Sequence, residues 1–238
     1  MRIIQGVITN GVTLASGDSP VLIGGVVTND GTGVTVGLYG GTGIYGDIRN
    51  FGTVGDTGGT YYGIKLRGDG TVTNGSPLAA DALIAGSYDG LRLFGNGTVS
   101  NFGTIAGGHI GAVVEQGRLT NNSTGLISGG YAEGVFFAAT STVVNYGSIK
   151  GAEGVYLSGG GRVTNGTSAI TRSTISGSRN GVRFHLQIGV ATLSNFGTIT
   201  STASYGSAVL SNLDTDTASL RIINGAAASN AALISGVT

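Results

Sequence analysis

Residues 142–161 read TVVNYGSIKGAEGVYLSGGG, and residues 98–117 read TVSNFGTIAGGHIGAVVEQG. The two stretches align without forcing. Each holds three short pieces in which apolar and polar residues alternate with period two: Thr142-Val143-Val144-Asn145, Gly147-Ser148-Ile149 and Gly154-Val155-Tyr156-Leu157 in the first. Gly or Asn punctuates every boundary, and no segment keeps a helical period for three turns, so the pieces read as strands.

The same unit recurs along the whole chain. A hydrophobic–x–Asn block ends at Asn10, Asn29, Asn50, Asn74, Asn101, Asn121, Asn145, Asn165, Asn195 and Asn224, at spacings of 19–30 residues. Periods of this length mark stacked units, none of which can bury its apolar face alone. Three strands per unit cannot pair as hairpins, because the same strand returns only after a full circuit. Equivalent strands must then stack in parallel, and parallel connections are overwhelmingly right-handed. We therefore expect one all-β domain over residues 1–238, a right-handed parallel β-helix of about ten coils. At ~4.8 Å per rung, nine intervals give a rod of roughly 45 Å.

Three apolar columns should form its core. The first runs Ile8, Val27, Ile48, Val72, Val99, Leu119, Val143, Val163, Leu193 and Ile222; the second runs Val54, Ile84, Ile105, Ile127, Ile149, Ile175, Ile199 and Ile234. The third runs Ile64, Leu91, Ala112, Val135, Val155, Val182 and Ser207. β-Branched side chains suit the buried face of a parallel sheet. Stacked asparagines, Asn50, Asn74, Asn101, Asn121, Asn145, Asn165 and Asn195 among them, can bond one another and satisfy polar groups at a buried corner. Asn also tolerates a left-handed backbone, which suits a turn.

Composition narrows the class. Glycine is 47 of 238 residues against 2 prolines, which excludes collagen, and 40% hydrophobic residues recurring in register argue against disorder. Twelve basic residues balance twelve acidic ones. No basic stripe suits a nucleic-acid backbone, and no basic amphipathic helix suits a membrane surface. Cysteine is absent, and a stacked core can dispense with disulfides. No apolar run is long enough to span a bilayer as a helix. The stretch Met1–Gly6 lacks the apolar run of a signal peptide, so any export signal is expected outside this sequence.

The phrase Gly154-Val155-Tyr156-Leu157-Ser158-Gly159-Gly160-Gly161-Arg162-Val163-Thr164-Asn165-Gly166 resembles the repeat of bacterial autotransporter passenger domains. So do Val99-Ser100-Asn101-Phe102-Gly103-Thr104-Ile105 and Leu193-Ser194-Asn195-Phe196-Gly197-Thr198-Ile199. The resemblance covers nearly the whole chain. It implies a β-helix displayed at, or released from, the outer surface of a Gram-negative bacterium, tied to the membrane only through a translocator barrel outside this sequence. Activity varies widely on this scaffold, so the resemblance implies place and shape more than chemistry.

Candidate chemistry is sparse. Gly41–Gly46 matches G-x-G-x-x-G, but a strand, Asp47-Ile48-Arg49-Asn50, follows where a dinucleotide site needs a helix. Asn212-Leu213-Asp214-Thr215-Asp216 resembles the start of a calcium loop without its glycine or distal glutamate. His109 and His185 lie at least three rungs apart, about 14 Å by rung counting, too far to act together. We expect no metal and no cofactor. Threonine pairs such as Thr71/Thr73 and Thr98/Ser100 line one face, but Arg49, Arg118 and Arg162 break the rank that an ice-binding surface requires. Glu133 and Glu153 precede equivalent strands in adjacent coils, with Asp89 in the same position two coils earlier; stacking would bring the two glutamates near the ~5 Å of a retaining glycosidase pair. Read plainly, they are exposed turn residues before a glycine.

The outward positions of the third strand set are more varied: Lys65, Arg67, Arg92, Phe136, Tyr156 and Arg183 form a candidate ligand face. Cations beside aromatic rings suit sugars or an acidic polymer. The leading expectation is a non-enzymatic surface or secreted β-helix serving adhesion, display or assembly, with a glycan or other cell-surface ligand as partner. The alternatives are a polysaccharide lyase or hydrolase using Glu133 and Glu153, and a self-assembling fibre. Strand-like sequence at Ile3–Ile8 and Ala232–Thr238 leads us to expect either a longer native chain or end-to-end stacking of rods.

Overall fold

Each T-x-x-N piece forms a strand that pairs in parallel with its equivalent one turn later. Gly46–Asn50 pairs with Gly70–Asn74, and the register continues rung by rung through Asn101, Asn121, Asn145, Asn165 and Asn195 to Asn224. This is seen in a computed structural model of the chain, which describes residues 1–29, 36–55, 61–187, 189–214, 217–225 and 232–235. The fold is an all-β parallel solenoid, with no helix among the described residues. About eight turns carry the full pattern, and two turns with shorter strands precede them, where the sequence suggested ten equivalent coils.

Three faces wind about one core. The second column stacks Val54, Ile84, Ile105, Ile127, Ile149, Ile175, Ile199 and Ile234 as its spacing predicts. The third stacks Leu38, Ile64, Leu91, Ala112, Val135, Val155, Val182 and Val209. These side chains and the first column from Ile48 to Leu193 join in a single apolar cluster, with Phe137 and Phe184 fully buried among them; Ile222, though in register with Leu193, is 47% exposed and lies outside the core expected of it. Each fully buried Val, Leu or Ile contributes roughly 1.5–3 kcal/mol of transfer free energy. In places the third and first faces run on without a break, as in Asp89–Asn101.

The register differs from the sequence reading at both ends. Val21, not Val27, stacks on Ile48, while Ile8 and Val27 lie under Val54 in the second column. Ile4 and Ile23 therefore occupy the ladder position, and Asn10 and Asn29 form an isolated antiparallel bridge off the ladder. At the other end Val209 takes the third-column place expected of Ser207, which pairs with Asn180. Both errors shift the alignment by an even number of residues. Such a shift keeps the same side chains pointing inward, so period-two alternation cannot expose it.

The asparagine column is a continuous hydrogen-bonded ladder. The side-chain Nδ2 of each residue donates to Oδ1 of the next: Asn50 to Asn74 at 2.8 Å, Asn74 to Asn101 at 2.9 Å, Asn101 to Asn121 at 2.8 Å and Asn121 to Asn145 at 2.9 Å. The run continues from Asn145 to Asn165 and from Asn165 to Asn195, both at 2.8 Å, and ends from Asn195 to Asn224 at 2.7 Å. Each Nδ2 also bonds the backbone. That of Asn145 reaches Thr174 O at 2.9 Å and Gly147 O at 3.2 Å. From Asn50 to Asn195 these side chains are 0% exposed, so each amide replaces water for the corner carbonyls of two turns. The left-handed backbone expected of them is not used: no described non-glycine residue has a positive φ.

The glycine of the G-V-x-L piece has a separate cause. A Cβ on Gly154 would lie 2.6 Å from both Gly181 O and Ile175 Cγ2, and the equivalent Gly90, Gly111, Gly134 and Gly181 are equally crowded by backbone oxygens. The turn into the third face is closed so tightly that only a hydrogen fits.

Turn length varies at the corner after the ladder. The long coil from Asn165 extrudes residues 166–173 through Gly166 at φ 75° and a Thr167–Ile170 bridge. Residues 75–82 form the same device, with Gly75 at φ 77° and a Ser76–Ala79 bridge. In the segment Asn212–Asp216 that resembled the start of a calcium loop, Asn212 and Leu213 belong to the strand Ser207–Leu213, and Thr215 and Asp216 lie outside the described residues.

Two measurements check this account. Asn145→Ala should lower the unfolding free energy by about 1–3 kcal/mol, since carbonyls of two turns lose their donor; an unchanged denaturation midpoint would remove the ladder's structural role. In limited proteolysis, trypsin should cut first after Arg172, exposed on the extruded loop, and later after Lys150, which lies within the Ser148–Leu157 strand. Equal rates at the two sites would contradict the assignment.

Candidate ligand face

On the third face, alternation fixes which side chains leave the core. Between Ile64 and Leu66, Lys65 points out, and its in-register successors are Arg92, Val113, Phe136, Tyr156 and Arg183. Five of the six ligand-face candidates thus share one column. The sixth, Arg67, follows Leu66, beside the next turn's Phe94, which follows Leu93.

This column carries a thin outer layer. Val113 packs with Ile110 and Ala132, each at most 8% exposed, and Phe136 rests against them. Phe136 and Tyr156 meet edge to face at 5.3 Å between centroids, and the Arg183 guanidinium lies 4.6 Å from the Tyr156 ring. At the other end Lys65 Nζ sits 4.2 Å from the Tyr62 centroid and 5.7 Å from that of Phe94; the Arg92 guanidinium is 5.4 Å from Phe94. Cations over ring faces are attracted by the ring quadrupole, more so when partly desolvated. An apolar centre is flanked by two cationic, aromatic ends.

The acidic residues of this face are not the exposed turn residues the sequence suggested. Asp89 is 0% exposed and Glu153 2% exposed, while Glu133 is half-buried. Each of the first two folds back over the outside of the sheet onto a cation. Asp89 Oδ2 accepts from Arg92 Nε at 2.7 Å. Glu153 Oε1 accepts from Arg183 at 3.1 Å and from Asn180 Nδ2 at 3.3 Å. Tyr88 stacks on His109 at 4.5 Å, and His109 Nδ1 stands 3.9 Å from Asp89 Oδ1. Tyr61 and Tyr62 pack edge to face on Tyr88. The tyrosine and histidine wall escaped the sequence reading; the signal was present in tyrosines at equivalent entries to the third face, Tyr61-Tyr62 and Tyr88.

Burial sets the electrostatics. Desolvation holds the Asp89 carboxyl above its usual range despite the Arg92 ion pair. Desolvation also raises Glu133, with the neighbouring Glu153 charge adding to it. Lys65 is pushed down by desolvation and then by the charges of Arg67 and Arg92.

Glu133 and Glu153 stand opposite each other in register, as their spacing implied. Glu153, however, is tied to Arg183 and Asn180 and covered from solvent. Of the remaining candidates, Gly41–Gly46 leads into the strand Gly46–Asn50. His185 Nε2 lies 2.8 Å from Asp214 Oδ2, and no metal-binding group of three acidic, His or Cys side chains occurs among the described residues. The threonine pairs are interleaved in register with Asp47, Arg49, Arg118 and Arg162. A separate open groove of ≈ 580 Å³ runs under the 166–173 loop, lined by Leu126, Tyr146, Ser148, Ile170, Arg172 and Thr174.

Glu133→Gln tests the burial argument. A carboxyl whose folded-state pKa is raised contributes stability that is fully present below its unfolded value, here 4.5, and lost as pH rises through the folded value. Gln has no such loss. The denaturation midpoint of Glu133→Gln should therefore gain on that of the parent between pH 4 and pH 7; a constant difference would show that Glu133 ionises as a solvated group. Comparison with family models, with curated proteins and with solved structures gives no match for this chain.

Proposed function

We propose that this chain is a non-enzymatic surface or secreted β-solenoid of the autotransporter-passenger kind, serving adhesion, display or assembly through its third face. The observation that carries this reading is the outward column Lys65–Arg92–Val113–Phe136–Tyr156–Arg183, an apolar patch between two cation–ring ends on a rigid sheet. Rigid aromatic and arginine side chains are the usual anchors of binding surfaces, because little conformational freedom is lost on contact. The repeat supports an extracellular, Gram-negative setting.

A second reading, a carbohydrate-active enzyme, draws support from the register pairing of Glu133 with Glu153 and the raised pKa of Glu133, as a general acid requires. Against it stands Glu153, whose covered, doubly bonded carboxylate would have to break both bonds to reach a sugar.

One sample decides between them. Adhesion of the purified chain to immobilised cell-surface extract should fall at least about tenfold in Phe136→Ala/Tyr156→Ala, two truncations outside the main core that each remove a ring. Polysaccharide incubated with the parent should release no reducing ends or unsaturated sugars. Undiminished adhesion by the double variant would overturn the first reading, and sugar release lost in Glu133→Gln would establish the second.

A further inference from the structure

We infer that the N-terminal end of the third face is a binding site for a polyanionic polysaccharide, with the acid groups held by Lys65, Arg67 and Arg92 and a sugar ring seated against Phe94. The inference rests on the third-face reading above and names its ligand class.

The first support is charge. Lys65 and Arg92 are in-register neighbours on adjacent turns, and Arg67 is exposed directly after the end of the strand Tyr62–Leu66 that carries Lys65. Asp89 is ion-paired with Arg92 and acts more weakly on Lys65. Among the described residues no carboxylate lies within ion-pair distance of Lys65 or Arg67. Three cations thus share one ion-paired carboxylate, on a surface of a chain whose net charge is zero. Lys65 is half-buried and crowded by both arginines, so an arriving anion would relieve an existing cost.

The second support is shape. Phe94 is 43% exposed, and with Thr42 and Arg67 it lines a small open hollow of ≈ 230 Å³ that reaches into the preceding turn. An apolar ring beside a guanidinium accepts the C–H face of a pyranose while the cation takes its acid group. The third support is period. Rungs repeat every ~4.8 Å, comparable to one sugar residue of an extended polysaccharide, so a chain laid along the axis would meet successive turns with successive sugars. Nucleic acid would call for a basic stripe continuing along the rod. Here the column turns apolar at Val113 and Phe136.

The experiment is calorimetric titration of the full chain with hyaluronan oligosaccharide (carboxylate only), heparin oligosaccharide (sulfate-rich) and neutral chitin oligosaccharide of equal length. Binding of one or both acidic sugars is expected, weakened about tenfold or more by Lys65→Ala/Arg67→Ala and by raising salt from 50 to 500 mM, since partly exposed charges are screened. The preferred acidic sugar tells a carboxylated from a sulfated source. The denaturation midpoint of the double variant should fall only slightly, because Lys65 gives up its ring contacts with Tyr62 and Phe94 while neither side chain is held in an ion pair among the described residues. Equal binding of neutral and acidic sugars, or acidic binding indifferent to the double substitution, overturns the inference. If no sugar binds while the Phe136/Tyr156 variant still loses adhesion, the ligand inference fails and the third-face reading stands; if that adhesion is also unchanged, both fail.

Discussion

Register is the constraint on which everything else in this molecule rests. A parallel solenoid stacks identical strands whose alternation alone would tolerate slips by two residues. Turn closure and the buried amide column remove that freedom. An asparagine at each corner bonds its neighbours above and below and the carbonyls beside them, so a slipped rung would leave a buried amide unpaired, at about 1–3 kcal/mol per group. The run from Asn50 to Asn224 is continuous and directed one way, Nδ2 to Oδ1, so each bond polarises the next. Where Ile4 and Ile23 take the same position, the strands shorten to three residues.

The outer layer of the third face is a consequence of that rigidity. With its inner side committed to the core, the sheet holds outward side chains at fixed intervals. Asp89 and Glu153 are tolerated beneath this layer because Arg92 and Arg183 meet them in short contacts and aromatic rings cover the pairs. Covered ion pairs of this kind add little net stability, since desolvation offsets the attraction, but breaking one strands a buried charge. Their effect is to fix the guanidinium groups in place.

The fold was legible because one pattern repeats. Val143, Ile149 and Val155 announce three buried strands, and Asn145 announces the corner. The N-terminal register was not legible: Ile8-Thr9-Asn10 and Val27-Thr28-Asn29 imitate the ladder motif while lying on the second face. Five of the six candidate ligand-face residues fall in one outward column, because alternation assigns them reliably. The burial of Asp89 and Glu153 could not be read, since it depends on how a side chain folds over the sheet onto a partner up to 30 residues away. Nor could the crowding at Gly154, where the deciding atoms belong to the next turn.

The two extruded corners show where this scaffold can change. Residues 75–82 and 166–173 leave the solenoid through the same device, a glycine in the left-handed region directly after a ladder asparagine and a small closed bridge. The ladder passes beneath both without interruption, Asn74 to Asn101 at 2.9 Å and Asn165 to Asn195 at 2.8 Å. Lengthening a loop costs little entropy once its ends are held. The corner is thus a socket. Evolution or an engineer can plug in segments of different length and chemistry there, one per turn, while the reading frame of the coil stays locked by the amides below.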